Sequence, residues 1–160
     1  MKNPHEMLTE FKLHWRNYVY QSALAALAIF IVSIILRIQN AVIIASIGSS
    51  AFIIFALPNA TSARSRNVIG GHLLGIAAGS LFSIFPQNVL FFTALIYALA
   101  VGFSILAMVV TDTEHPPAAG TALGIAMRGT SPKVIIAVIV SALVLALVRH
   151  FFSRYIRDLQ

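Results

Sequence analysis

The sequence predicts an all-α polytopic membrane protein, with about six hydrophobic segments arranged as a 3+3 inverted repeat that includes two short or broken helices. Three observations point there. Hydrophobic residues make up 59% of the 160 positions and charged residues only 10%, where an ordinary soluble domain carries about 25% charged. Apolar runs long enough to cross a bilayer recur along the chain. Two short segments interrupted by small residues and proline then occupy matching places in its two halves. A soluble globular domain is excluded. Six spans of roughly 20 residues take up about 120 positions, so residues 1–160 read as a single transmembrane domain: a lead-in at 1–18, a bundle at 19–152 and a basic tail at 153–160.

The lead-in reads as an interfacial helix. Asn3 can cap it, Pro4 suits its first position, Glu6 completes a weak capping box, and Leu8, Phe11 and Trp15 share one face. The Ala-rich stretch 23–28 opens the apolar run instead of following it, so this is no cleavable signal peptide and the first span is expected to stay attached. That span, 19–36, is uninterrupted and is closed by Arg37, Gln39 and Asn40. The second, 41–57, carries Ser46, Gly48, Ser49 and Ser50 and stops at Pro58, as an interior or broken helix would. A polar link, 59–67, leads to a third segment at 69–85, and the turn Pro86, Gln87, Asn88 leads to a fourth at 89–110. Residues 118–127, after Asp112, Glu114, His115, Pro116 and Pro117, are too short for an ordinary span. The last segment, 134–148, runs out into a basic and aromatic end.

If residues 112–127 cross, there are six segments and both termini share a side; if they re-enter, there are five and the termini separate. Six places eight Lys and Arg, from Lys2 to Arg157, on the cytoplasmic side against Arg37, Arg128 and Lys133 outside, and the positive-inside rule favours it. Both termini are therefore expected in the cytoplasm, with the protein in an inner or plasma membrane. The net charge of +6 fits anionic headgroups, an anionic solute or orientation alone. Few basic residues stand together, so nucleic acid is not an expected partner. Cysteine is absent, which excludes disulfides, thiolate metal sites and Cys nucleophiles.

A cut at Gln87 leaves three segments in each half, so the second half is inverted relative to the first. Gly48, Ser49, Ser50 and Ala51 can be laid on Gly120, Thr121, Ala122 and Leu123, and such paired interruptions point to a transporter binding site. A helix that starts inside the membrane presents free N–H groups and about half a positive charge to an anion, and Pro116 and Pro117 suit such a start or merely kink a packed helix. Gly71, Gly75 and Gly79 recur every fourth residue, as do Gly120 and Gly124; close helix packing is the favoured reading for Gly75, Gly79 and Gly124, and ligand contact remains open for Gly48 and Gly120. Ionisable residues at membrane depth are functional candidates: Asp112, Glu114, His115, Arg64, Arg66 and His72. An anion site flanked by both carboxylates would repel its ligand, so one must pair with a base or carry a proton. Glu114, beside His115, is the proton-coupling candidate; Asp112 can cap the turn.

The run Glu114, His115, Pro116, Pro117, Ala118, Ala119, Gly120, Thr121, Ala122, Leu123 resembles the signature of the HPP family of integral membrane proteins, and Arg66 to His72 is similar to that family's second landmark. The resemblance spans roughly residues 15 to 152. It implies a small bundle of membrane helices and, since some members are linked to nitrite transport, nitrite as the favoured substrate. Carried over by position, it marks His115, Pro116, Pro117, Gly120 and Thr121 in the first motif and Arg66, Asn67, Gly71 and His72 in the second. Ser65 stands where the pattern has proline, and the soluble extension of some relatives is not found, which argues against nucleotide regulation.

The expected function is a carrier or channel, not an enzyme, for a small monovalent anion, proton-coupled, with no cofactor or metal. Its substrate site would use His115, Pro116, Pro117, Gly120, Thr121, Gly48, Ser49, Ser50, Arg66, Asn67 and His72. Two alternatives stand beside it: a membrane-embedded metal enzyme with Asp112, His115 and His72 as ligands, or a structural subunit of a membrane assembly. So few helices enclose little volume, and a homo-oligomer is expected.

Overall fold

A computed structural model of the chain describes residues 4–36 and 41–159, with the backbone alone at 4–8, 10, 11 and 32–36. Asn3, Arg37, Gln39 and Asn40, and the side chains of Glu6, Leu8 and Phe11, lie outside the described residues. Within them are six α-helices and no strand: α1 (Pro4–Leu36), α2 (Ala41–Ala56), α3 (Ser65–Ser83), α4 (Leu90–Val110), α5 (Pro117–Arg128) and α6 (Pro132–Phe152), with a 3-10 turn at Thr61–Ala63.

α1 is one helix where the sequence suggested a separate lead-in. No glycine or proline follows Pro4 before residue 36, so nothing breaks the hydrogen-bond ladder between the amphipathic and the apolar stretch. α2 and α5 are short, at 16 and 12 residues, and both are continuous, so neither is broken. α3 begins at Ser65, four residues earlier than the apolar run suggests, because the polar Ser65, Arg66 and Asn67 form its first turn. α5 starts at Pro117 and ends where Gly129 takes φ +82°, a backbone state that suits glycine. Pro132 opens α6, for the reason that proline fits a first helical turn.

α4 and α6 are long and apolar enough to cross a membrane, and α2 is a shorter apolar helix. α4 turns Leu90, Phe91, Phe92, Leu99, Leu106 and Val110 outward, a surface that suits lipid and not water. In the interior α5 packs against α2, α3 and α4, while α6 lies against α2 and α3, and α1 covers α2 and α6 from outside. The apolar core runs through Ile43, Ile47, Ile54, Phe55, Val68, Ile125, Val138 and Leu145.

Residues 111–130 run the whole length of α3 in its own direction. Asp112 and Glu114 meet Arg66 and Asn67 at the start of α3, and Thr130 meets Ser83 at its end. α2 lies antiparallel to α5, since Ile43 faces Gly124 and Ser46 faces Gly120 and Thr121.

The tail folds back on the bundle. Gln21, a buried polar residue within α1, donates from Nε2 to the Phe55 carbonyl and to the Arg157 carbonyl at 2.8 Å, and its Oε1 accepts from the Arg157 amide at 3.1 Å. The Leu159 amide donates to the Ala56 carbonyl, Asn59 bonds the Asp158 carboxylate, and Arg149 donates to the Pro58 carbonyl. Ile156 is buried beneath this lap. Leaving buried partners unsatisfied costs about 1–3 kcal/mol. Gln21→Leu is therefore expected to destabilise the protein by about 2 kcal/mol, read as a lowered midpoint of thermal unfolding in detergent, whereas Tyr20→Leu, on an exposed position of the same helix, should change it little.

Candidate functional site

Glycine sets the geometry of the site. Along α3, a Cβ at Gly71 would meet His115 Cβ at 2.7 Å, one at Gly75 would strike the Ala118 carbonyl, and one at Gly79 would reach the Ala122 carbonyl at 2.6 Å. The two segments thus lie in close contact over about two turns, the approach that small residues permit between helices in lipid. Gly124 does the same for Ile43 of α2. Packing is the role of Gly75, Gly79 and Gly124.

This approach brings three polar faces together at mid-length of the helices. Ser46 and Ser50 stand one turn apart on α2, His72 lies two turns into α3, and His115 and Thr121 flank the start of α5; all five are buried. Ser50 Oγ is 3.0 Å from His72 Nε2 and 2.9 Å from His115 Nε2. His72 Nδ1 is 2.9 Å from Thr121 Oγ1, which is 2.9 Å from Ser46 Oγ. His115 Nδ1 donates to the Ser62 carbonyl at 2.8 Å, and Ser46 donates to the Pro117 carbonyl. The imidazoles meet edge to face with centroids 5.1 Å apart. Beside the cluster a groove of about 480 Å³ runs between α2 and α5, lined by Val42, Ser46, Ser49, Phe52, Pro116, Pro117 and Gly120 among others.

The residues singled out by sequence divide into three groups. Ser50, His72, His115 and Thr121 form the cluster, while Ser49, Pro116, Pro117 and Gly120 line the groove. Arg66 and Asn67 act on the loop before α5: Arg66 pairs with Asp112 at 2.9 Å and donates to the Thr111 carbonyl at 3.0 Å, and Asn67 donates to the Glu114 carbonyl at 3.2 Å. Asp112 sits at φ 54°, a left-handed turn that Asp tolerates, and its carboxylate is largely exposed. Gly48 stands apart, on an exposed face with nothing within 4 Å of a Cβ, because a 3.6-residue repeat places Ser46 and Ser50 toward the cluster and Gly48 nearly opposite. Ser46 is the member that sequence reasoning missed; its spacing of four from Ser50 on one helix was the available signal.

Two mechanistic expectations change. The first-turn amides of α5 are not free, since Ala118 and Ala119 donate to the His115 and Pro116 carbonyls at 2.9 and 3.1 Å. The residues before Pro117 curl in helical sense, with Pro116 at φ −50°, ψ −38°, and so supply acceptors to those donors. The three ligands of the metal alternative are not gathered either: Asp112 is held at the outer end of α3 by Arg66, and no group of three His, Asp or Glu side chains suited to a metal occurs among the described residues.

The family described as HPP, transmembrane region, matches residues 10–159 of this chain. Among curated proteins, a transmembrane protein of Dictyostelium discoideum is 41% identical over 87 residues, which are 53% of this chain and 30% of the relative. A second transmembrane protein of the same organism is 33% identical over 81 residues, 51% of this chain and 26% of the relative. The chain thus spans under a third of the length of these curated relatives. No solved structure matches.

The contact at Gly75 can be tested directly. Its added Cβ would press on a backbone carbonyl that cannot rotate away, and overpacking of this kind costs about 1–3 kcal/mol. Gly75→Ala is expected to lower the unfolding midpoint or the yield of monodisperse protein, and Gly48→Ala, in open space, to leave both unchanged.

Proposed function

The chain belongs to the HPP transmembrane family, and from that premise we propose that it carries a small monovalent anion, nitrite foremost, across an inner or plasma membrane. The observation that carries this reading is the cluster of Ser46, Ser50, His72, Thr121 and His115, buried between helices and bordering the groove between α2 and α5. Hydroxyl and imidazole groups give the groove a polar border without fixed charge, which suits a weakly basic anion that must be bound and then released. Asp112 is drawn away from this cluster by Arg66, which removes a carboxylate from the anion's surroundings. The helix dipole of α5 adds positive potential at the Pro117 end of the groove.

The architecture supports a 3+3 inverted repeat. Exchange of α1 with α4, α2 with α5 and α3 with α6 carries the set of helix contacts onto itself: α3 with α5 becomes α6 with α2, α3 with α4 becomes α6 with α1, and α1 with α2 becomes α4 with α5. The contacts of α2 with α5 and of α3 with α6 map onto themselves, and the first of these pairs is antiparallel, as a two-fold axis in the membrane plane requires. Residues 111–130 accompany α3 from end to end, which favours a crossing over a re-entrant loop and hence six crossings. The contact of Gln21 with Arg157 supports both chain ends on one side, the cytoplasmic one by the distribution of Lys and Arg. The groove is open at the surface of one chain, and a homo-oligomer would enclose it.

The test is flux of a panel of monovalent anions into liposomes containing the purified protein. Nitrite uptake above protein-free vesicles is expected, and His115→Ala, which removes the bonds to Ser62 and Ser50, should reduce it about tenfold or more, the equivalent of one buried hydrogen bond, with expression unchanged. Full flux in that variant would remove His115 from the pathway; absence of flux for every anion would end the transport reading.

A further inference from the structure

The five buried side chains form one hydrogen-bonded line whose two ends are carbonyl oxygens. It starts at the Ser62 carbonyl, passes through His115 from Nδ1 to Nε2, crosses Ser50 Oγ to His72 Nε2, leaves that ring at Nδ1 for Thr121, and ends through Ser46 on the Pro117 carbonyl. A carbonyl oxygen only accepts, and each neutral hydroxyl or imidazole supplies a single proton. His115, Ser50, His72, Thr121 and Ser46 thus bring five protons to six links. The Ser46 carbonyl, 3.1 Å from Ser50 Oγ, competes for one of the five and deepens the deficit. With every group neutral, one link must hold two facing lone pairs, and a buried acceptor without a donor is costly.

We propose that this line binds one additional proton, shared between His115 and His72 through Ser50, and that this proton accompanies the anion during transport. The second half rests on the function proposed above; the first does not. The proton is taken from water by an imidazole Nε2, which becomes an imidazolium, and all six links are then filled. When His115 holds it, that ring donates to the Ser62 carbonyl and to Ser50, Ser50 donates to His72 Nε2, and His72 Nδ1 donates to Thr121. When His72 holds it, that ring donates to both Ser50 and Thr121, and the Ser50 hydroxyl turns to His115 Nε2. The two states differ by relay of one proton across Ser50 Oγ, with no movement of heavy atoms. In both, Thr121 donates to Ser46 and Ser46 to the Pro117 carbonyl.

Among the described residues no carboxylate is bonded to either ring, so the hydrogen-bonded line itself would hold the added charge. α2 has no titratable side chain, α4 has only Tyr97, held by Gln87, and α5 has only Arg128, at its far end. α3 contributes Arg66, paired with Asp112, and α6 contributes Arg149, bonded to the Pro58 carbonyl. Arg64 stands in the link before α3, and Glu114 adjoins His115 in the chain. Two imidazolium charges with ring centroids 5.1 Å apart would repel, so the line takes one proton and not two. Ser46 and Pro117 belong both to the line and to the wall of the groove, which sets an anion there beside the added charge.

Nitrogen-15 NMR of the imidazole rings in the full chain, reconstituted in nanodiscs and titrated from pH 8 to pH 5, tests the proton count. The rings are assigned with His72→Gln and His115→Gln. The wild type should show one imidazolium averaged over the two rings. Ser50→Ala removes one proton and two links, so four protons meet four links and both rings should revert to neutral, protonated at Nδ1, while Ser50→Thr should keep the charge. Two neutral rings in the wild type throughout the range, or an imidazolium that survives Ser50→Ala, would overturn the site. In liposomes, nitrite uptake should respond to an inward proton gradient in the wild type and in Glu114→Gln and lose that response in Ser50→Ala. An imidazolium seen by NMR together with nitrite flux indifferent to the gradient would overturn the coupling and leave the proton site standing. A gradient response abolished by Glu114→Gln would return the coupled proton to that carboxylate.

Discussion

The backbone of α3 touches the backbone of α5, and the polar centre depends on that contact. Gly71, Gly75 and Gly79 leave no side chain between the two helices, so the His115 Cβ and the Ala118 and Ala122 carbonyls lie directly against α3. Lipid supplies no hydrophobic drive toward helix association, which leaves dispersion and close contact to hold such a pair. Because α5 is too short to span a bilayer by itself, at about 18 Å for twelve residues, it needs neighbours along its whole length. α3 provides one side and α2 and α4 the others.

That packing decides which polar groups meet. His72 of α3 and Thr121 of α5 share a level because the helices run in the same direction with a fixed offset, and α2 adds Ser46 and Ser50 from the antiparallel side. The ends of the arrangement are tied by atoms outside the cluster: the Ser62 carbonyl comes from the 3-10 turn, and Arg66 and Asn67 fix the loop that delivers His115. A polar network excluded from water holds its shape when its members satisfy one another. Here each ring nitrogen has a partner within 3.0 Å.

The helices were legible because hydrophobic length and the punctuation by proline and glycine are properties of single segments. Pro58, Pro86, Pro117, Gly129 and Pro132 mark boundaries that the fold keeps or misses by a few residues. The exceptions have the same cause in opposite directions: Ser65, Arg66 and Asn67 are polar yet helical, since a first turn can be exposed, and no residue marks a break in α1 where amphipathic sequence turns apolar. For the site, the two motifs named His72, His115 and Thr121, and the small-residue stretch named Ser50. The alignment of Gly48 with Gly120 compared positions without helical phase, so it chose Gly48 and passed over Ser46, half a turn away on the inward face. Gln21 was visible as the one strongly polar side chain in the run 19–36. Its partner was not, because nothing local in a sequence says that residue 21 will meet residue 157.

Gln21 also bears on the order in which the chain assembles. Its bonds to Arg157 join residues 136 positions apart, and its bond to Phe55 lies on a helix that α6 covers as well. During synthesis α1 emerges before the other five helices, yet the residues that complete its seat are made after α6. The first helix therefore reaches its final register after α6 and the returning tail exist, and contacts of such long sequence separation are slow to close. Until then its carboxamide lacks its Arg157 partners, and the first-made of these six helices is the last to be fixed.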